Sequence, residues 1–227
     1  MPKSSLCCRV LSLASVLLLA ACARVPLAPE TLRLPERVEL SDVPFFQQSD
    51  AQGGASALAA LLNHHGVISS PGLLEQRIQQ AGAVSAQAGL EFAARSHDLL
   101  VYPVEANLDA LLQQVAAGHP VLVLQHKTLA WPGAQFAVLV GYDKREQTLV
   151  LRSGNTRRWY TRFARFDSAW EEAGRWAVVL APADQLPAQP QLNTWLQAAE
   201  ALRQQGRDDA AQRALRTARK QWPAAGL

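Results

Sequence analysis

Cysteine is scarce in this chain, and its positions restrict the chemistry that the protein can use. The three cysteines are Cys7, Cys8 and Cys22, all in an N-terminal stretch with the features of a leader. Beyond Cys22 the chain can therefore form no disulfide and has no thiol nucleophile. Methionine is scarcer still, because Met1 is the only one.

Charge is also in short supply. Only 18% of the 227 residues are charged, and the net charge is +3. Without Lys3 and Arg9 of the leader the balance is about +1, because 22 basic residues become 20 against 19 acidic ones. Such a small excess does not favour nucleic acid as a partner. Hydrophobic residues make up 49% of the chain, which indicates a folded domain with a packed core.

Motifs for metal or cofactor binding are missing from the sequence. It contains no zinc-ligand spacing, phosphate-binding loop or dinucleotide fingerprint. The five histidines include one adjacent pair, His64 and His65, whose side chains would diverge from a helix and suit one metal ion poorly. We therefore predict no cofactor and no metal site.

Residues 1–21 are predicted to be a secretory signal, with a basic start, an apolar run and a small-residue end. The signal ends in Leu19-Ala-Ala-Cys22, which resembles a bacterial lipobox. That resemblance implies a lipid on Cys22, and Ala23 in place of Asp implies an outer membrane location facing the periplasm. An ordinary signal peptide cut near Ala21, or a short membrane anchor, is the alternative.

Residues 22–36 contain three prolines and are predicted to be a tether between the lipid and a domain of residues 37–182. This domain begins with helical patterns and continues with strands, which predicts an α+β fold with an antiparallel sheet. Ser70 and Asn107 are the expected N-caps of two helices. Helices are expected at 54–65, 70–82, 87–97, 107–118 and 163–172, and strands at 37–40, 99–104, 121–124, 136–142, 148–151, 158–162 and 176–180.

The proline-containing stretch 181–190 is predicted to be a linker, and residues 191–225 are predicted to form two helices that separate at Gly206. Eight small or aromatic positions match the spacing of a tetratricopeptide repeat, namely Trp195, Ala199, Leu202, Gly206, Ala211, Leu215, Ala218 and Pro223. A helical hairpin of no particular family is the alternative. Because a single repeat cannot cover its own apolar face, it should dock on the preceding domain or on another protein.

Residues 43–66 have the most informative pattern in the chain. An apolar entry leads to a polar loop with three glutamines, then to the pair Gly53-Gly54 and an alanine-rich helix. The N-terminus of a helix concentrates free N–H groups and positive potential, which lowers the pKa of a thiol placed there. Here the position holds Gly53, and no thiol is present.

The succession of Val43-Pro-Phe, a glutamine, a polar loop, a small-residue helix, Leu62-Asn63 and Gly66 resembles the opening of bacteriocin-processing-type cysteine peptidases, which have a papain-like fold. The resemblance assigns Gln48, or its neighbour Gln47, to the oxyanion hole. It assigns Gly54 to the glycine after the nucleophile and Gly53 to the position of the nucleophilic cysteine.

A second stretch, Gln135-Phe-Ala-Val-Leu-Val-Gly-Tyr-Asp143, resembles the strand of the same family that carries the general-base histidine. Gln135 occupies the histidine position, and Ser153, with Asn155 nearby, occupies that of the third catalytic residue. Glycine has no nucleophile, and a glutamine amide cannot accept a proton near neutral pH. Papain-type chemistry is therefore not expected. Ser56, the nearest hydroxyl, lies about one turn inside the helix and is expected to pack there.

These patterns predict a membrane-anchored lipoprotein with a catalytically inactive peptidase-like domain that binds a peptide or a partner protein. Two alternatives remain at this stage. The first is an active peptidase or amidase with a rearranged nucleophile, and the second is a structural envelope adaptor that acts through the helical repeat.

Overall fold

The structure, a computed structural model, describes residues 24–47, 53–126 and 133–226. The predicted signal peptide, Cys22 and Gln48 lie outside these ranges. The described helices are α1 (Pro29–Leu32), α2 (Gly53–His64), α3 (Pro71–Gln80), α4 (Ala86–Arg95), α5 (Leu108–Ala116), α6 (Phe163–Glu172), α7 (Leu192–Gln204) and α8 (Asp208–Gln221). The described strands are β1 (Arg37–Glu39), β2 (Leu100–Pro103), β3 (Val121–His126), β4 (Ala134–Asp143), β5 (Thr148–Ser153), β6 (Thr156–Arg162) and β7 (Ala177–Ala181).

The strands form one antiparallel sheet in the order β2-β7-β3-β4-β5-β6, and β1 pairs with the end of β4. The long central strands are apolar, and β7 and most of β3 are buried. Gly141 permits the pairing of β1 with β4, because a Cβ atom on Gly141 would lie 2.6 Å from the carbonyl oxygen of Val38. The turn between β4 and β5 is fixed by Asp143, which accepts a hydrogen bond from the backbone N–H of Glu146 at 2.9 Å.

Side chains that alternate along the central strands form two cores, one on each face of the sheet. Leu122 and Val138 belong to the core covered by α2, α3 and α4. Val123 and Leu139 belong to the core covered by α5, α6 and the C-terminal helices. The predicted α+β class with an antiparallel sheet is therefore correct.

The C-terminal helices α7 and α8 pack together as the predicted hairpin. Trp195 is completely buried between them, and its indole N–H donates to the carbonyl oxygen of Ala214 at 2.8 Å. Ala198 and Leu202 of α7 extend the core beneath the sheet. The apolar face of the hairpin is thus covered by the preceding domain.

The segment predicted as a tether is bonded to the domain in its described part. The guanidinium of Arg24 donates to the carbonyl oxygen of Arg145 at 2.8 Å, and Val25 exchanges hydrogen bonds of 2.8 and 2.9 Å with the side chain of Gln147. The backbone N–H of Ala28 donates to a carboxylate oxygen of Asp109 at 2.9 Å. The short helix α1, which the sequence did not predict, follows within this segment.

The helix caps differ from one another in their chemistry. The side chain of Asn107 accepts a hydrogen bond from the backbone N–H of Ala110 at 2.8 Å, as predicted. Ser70 is the N-cap residue of α3, as predicted, although its side chain makes no capping hydrogen bond. In the described ranges, no helix combines the length and the apolar character that crossing a bilayer requires.

Candidate functional site

The start of α2 is packed closely against two other elements. Gly53 is the first residue of the helix, whose first turn carries no acidic side chain. A Cβ atom on Gly54 would lie 3.1 Å from a methyl carbon of Leu90 in α4 and 3.2 Å from a ring carbon of Phe136 in β4. The glycine at position 54 therefore lets the helix approach both neighbours.

Gln135 is the second residue of β4 and is half-buried. It lies directly opposite Gln125 of β3, so the two glutamines share a face of the sheet with Ala137. Gln125 is buried, and its side-chain amide nitrogen has no hydrogen-bond partner in the structure. The next residue of β4, Phe136, lies on the opposite face and contacts Gly54.

Ser153 ends β5 at the level where β4 begins. Its side chain is buried, and its hydroxyl donates to the carbonyl oxygen of Phe136 at 3.4 Å. The end of β5 and the start of α2 therefore both lie against Phe136 at the start of β4. Ser153 bonds to the carbonyl oxygen of Phe136, and Gly54 packs against its ring. The catalytic-position roles of Gly53, Gln135 and Ser153 stay predictions, as does the oxyanion-hole role of Gln48 outside the described ranges.

A buried arginine beside Ser153 was not predicted from the sequence. Arg152 is only 3% exposed, and it donates one hydrogen bond, of 3.2 Å, to the carbonyl oxygen of Leu40. Its Nε and Nη1 atoms have no hydrogen-bond partner in the structure. Burial lowers the pKa of the guanidinium, and the nearby charge of Arg157 lowers it further. The only signal in the sequence is one cation inside an otherwise apolar strand.

Two aromatic side chains form a half-buried surface near the start of α2. The rings of Phe136 and Trp176 meet edge to face with centroids 5.7 Å apart. The indole N–H of Trp176 donates to a carboxylate oxygen of Glu91 at 3.3 Å. We call Phe136 and Trp176 the aromatic pair. A depression beside it, between Leu58 and Leu90, has no room for a water molecule.

Ser56 is unsuited to replace the missing nucleophile. It is 1% exposed, inside α2, and its hydroxyl points at the carbonyl oxygen of Gln47 at 3.4 Å. A buried hydroxyl without a base cannot reach a substrate carbonyl. The structure thus agrees with the packing role that the sequence predicted for this residue.

Burial lowers the pKa of two histidines near the other end of α2. Burial, and secondarily the neighbouring His64, lowers the pKa of His65 to about 4. The pKa of His119 is also lowered, by burial and then by His64. The Nδ1 atom of His64 lies 2.9 Å from a carboxylate oxygen of Asp42. Among the described residues no group of three metal-ligating side chains comes together.

A groove of about 890 Å³ lies elsewhere on the molecule, between the end of β2, the start of α5 and the start of α7. Tyr102, Glu105, Asp109 and Gln191 are among its mostly polar lining. Its walls come from the α5 side of the sheet, whereas the start of α2 lies on the other side. We therefore do not assign it to the candidate site.

Comparisons with known proteins give a result only at the level of structure. No family model matches the sequence, and no curated protein matches it. The crystal structure of a C39-like peptidase from Bacillus anthracis aligns with 65% of this chain and 98% of its own, with a TM-score of 0.54 and 19% identity.

Two further structures are similar in part. The peptidase domain of Streptococcus ComA, a bifunctional ABC transporter in a quorum-sensing pathway, covers 62% of this chain and 98% of its own, with a TM-score of 0.49 and 20% identity. Xylellain, a cysteine protease from Xylella fastidiosa, covers 70% and 90%, with a TM-score of 0.47 and 14% identity. The likeness to the C39-like peptidase establishes the fold, a papain-like α+β fold, and at these identities it establishes the fold alone.

Proposed function

We propose that this protein is a bacterial envelope lipoprotein whose C39-like peptidase fold binds a peptide without cleaving it. The lipid is attached at Cys22, and the domain faces the periplasm from the outer membrane. The ligand is an extended peptide or a segment of a partner protein, bound on the surface beside the start of α2.

The loss of catalysis is supported by what stands at the reacting positions. Gly53 begins α2 where the resemblance requires a thiol, and Gln135 stands where it requires a base. No cysteine follows Cys22 in the sequence, so no other thiol can take over the attack. Ser56, the nearest hydroxyl, is buried within the helix. An acyl-enzyme mechanism therefore has neither of its reacting groups.

Peptide binding is carried by one observation, the aromatic pair beside the start of α2. Phe136 and Trp176 are half-buried and in edge-to-face contact, so each keeps part of an apolar ring open to solvent. An extended peptide presents alternate side chains to a surface, and aromatic rings bury much area at small conformational cost. The pair therefore suits apolar side chains of a peptide ligand.

The binding experiment uses residues 23–227 without lipid, panned against a random displayed peptide library. We expect enriched peptides to bind the unmodified chain and to lose at least about tenfold in affinity with Trp176→Ala, because a buried aromatic anchor contributes more than about 1.4 kcal/mol. Tyr160→Ala, in an exposed tyrosine of β6, is the matched control and should bind normally. Mass spectrometry of the bound peptides should find them intact.

Other outcomes of this experiment favour the alternatives. Cleavage of the peptides that Ser56→Ala abolishes would identify an active hydrolase. The adaptor alternative predicts a different result, in which no peptide is enriched but an envelope protein is captured. Loss of that capture in Arg213→Glu and Arg216→Glu would identify an adaptor acting through α8. Exposed residues of α8 serve this purpose better than removal of residues 191–227, because that deletion would take Trp195 out of the core.

Lipid attachment is tested separately by Cys22→Ser. We expect the variant to leave the membrane fraction or to accumulate with its signal peptide uncut. A variant that is processed and fractionates like the unmodified protein would contradict the lipoprotein assignment.

A further inference from the structure

The chain leaves almost no free length between the proposed lipid and the folded domain. Only Ala23 separates Cys22 from Arg24, and Arg24 and Val25 are already bonded to Arg145 and Gln147 in the β4–β5 turn. Two residues span at most about 7 Å when fully extended. A lipid on Cys22 therefore holds the β4–β5 turn close to the membrane surface.

The bonded segment is also held farther along, by the ammonium group of the half-buried Lys144. Its Nζ atom donates to the carbonyl oxygens of Thr31, Leu32 and Leu34 at 3.1, 2.9 and 2.5 Å. These carbonyls lie in the last turn of α1 and just after it, where free acceptors and negative potential favour a cation. Releasing the segment to lengthen the tether would leave all three without their partner.

The surface around the β4–β5 turn is basic. Exposed arginines contact or adjoin the turn and the bonded segment, namely Arg24, Arg33, Arg37, Arg145 and Arg162. Its exposed acids are Glu30, Glu36 and Glu146, while the half-buried Asp143 is 4.0 Å from Arg37. Leu32, which is 61% exposed, adds an apolar side chain next to Arg33. We call this surface the turn face.

We propose that the turn face docks on the anionic phospholipid surface to which the chain is anchored. The proposal rests on lipid attachment at Cys22, which is part of the proposed function. Basic side chains beside an anchor strengthen its attachment to anionic lipid, by about 1 kcal/mol for each side chain near the surface. The short reach from Cys22 and the arginines around it select a membrane, and not a second protein, as the occupant.

Docking by the turn face fixes where the candidate site points. β4 runs from Ala134 to Asp143, and its end is in the turn, whereas Gln135 and the aromatic pair lie near its beginning. Eight residues of antiparallel strand between Gln135 and Asp143 span about 27 Å. The peptide-binding end of the sheet is therefore held away from the membrane and open to the periplasm.

The first experiment measures this orientation with single-cysteine probes, which the lack of cysteine beyond position 22 makes possible. Glu146→Cys places a fluorophore on the turn face, and Asn155→Cys places one in the exposed turn at the other end of β5. The lipidated protein is reconstituted in vesicles of phosphatidylethanolamine with a minority of phosphatidylglycerol. We expect the Glu146→Cys probe to be shielded from an aqueous quencher at least about threefold more than the Asn155→Cys probe.

The second experiment separates docking from anchoring by using residues 23–227 without lipid. Sedimentation with the same vesicles should weaken about fivefold for each arginine neutralised in Arg33→Gln and Arg145→Gln, as expected for basic residues at an anionic surface. Arg213→Gln and Arg216→Gln, in exposed arginines of α8, form the matched control and should sediment like the unmodified chain. Raising the salt concentration should remove the difference.

Several results would overturn the proposal. Equal quenching of both probes in membrane-bound protein would mean that the turn face does not dock. Shielding of the Glu146→Cys probe in native membranes but not in lipid vesicles would identify a protein partner instead. Mass spectrometry that finds the N-terminal peptide without lipid would contradict the anchor itself. That failure can be told apart from a failure of docking, because the sedimentation of unlipidated protein still tests the turn face.

Discussion

The indole N–H of Trp195 donates to the carbonyl oxygen of Ala214 inside the C-terminal hairpin. Both residues have 0% exposure, and both belong to the same core as the central strand residue Leu139. The hairpin therefore shares its core with the sheet beneath it, and the loss of its packing should destabilise the whole domain.

Trp195→Ala is expected to lower the free energy of unfolding by about 3–5 kcal/mol, the usual loss for a large core side chain. Trp195→Phe keeps much of the buried area and should cost less, about 1–3 kcal/mol, because it leaves the Ala214 carbonyl without this donor. Denaturant titration followed by circular dichroism measures both values. A first transition that involves only the helices would show that the hairpin unfolds by itself.

Gly141→Ala tests the close approach of β1 to β4. The new Cβ would lie 2.6 Å from the carbonyl oxygen of Val38, so the strands must separate, at a cost of about 1–3 kcal/mol or more. Gly72→Ala is the matched control, since no atom lies within 4 Å of its Cβ position in α3, and it should change stability by less than about 1 kcal/mol. Equal shifts in the melting temperatures of the two variants would contradict this account.

The stability of the domain should fall as the pH drops from 6.5 to about 4, in part because of His65. Its pKa is lowered from 6.5 to about 4 by burial and then by His64. Between these two pH values the imidazole of the unfolded chain binds a proton, whereas that of the folded chain does not. This contribution is fully present above pH 6.5 and is lost progressively down to about pH 4. After screening of the half-buried ring it amounts to about 1–2 kcal/mol.

His65→Gln should flatten this part of the stability profile, measured by urea unfolding at a series of pH values. Parallel profiles for the unmodified protein and His65→Gln would contradict the assignment.

A cysteine at position 53 and a histidine at position 135 test how the start of α2 and the start of β4 are arranged. Gly53→Cys is expected to produce a thiol with a pKa below about 8.5, because the thiol would stand at the start of α2. Adding Gln135→His should lower this pKa no further, because Gln135 shares a face of the sheet with Ala137, on the side away from α2. The rate of alkylation by iodoacetamide against pH gives both pKa values, and a lower value in the double variant would show that positions 53 and 135 face each other.

Local signals in the sequence were sufficient for most of the fold. The continuous apolar runs at 121–124 and 136–140 identified the central strands β3 and β4. Asn107 marked a helix start because its side-chain oxygen can accept from a free backbone N–H of the first turn. The single tryptophan and the small residues of α7 and α8 indicated helices that pack closely. Such signals act over a few residues and do not depend on distant partners.

The remaining features depend on contacts between residues that are far apart in the sequence, and no local pattern predicts such contacts. Lys144 bonds the end of α1 across more than 100 positions, so the segment that contains α1 was taken for a tether on its prolines alone. Phe136 and Trp176 meet only after β4 and β7 have joined the same sheet. The burial of Arg152 likewise follows from the segment that ends at Leu40 passing over its strand.

Both ends of the described chain pack on one core, and this has a consequence for the order in which the protein folds during synthesis. Val25 is bonded to Gln147 across 122 positions, and Val25 and Trp222 pack against the same cluster of residues. Contacts between such distant residues form slowly, because a long loop must close before they stabilise anything. A nascent chain that has not yet released α8 from the ribosome cannot complete this core, so the domain should reach its final fold only when translation is nearly finished.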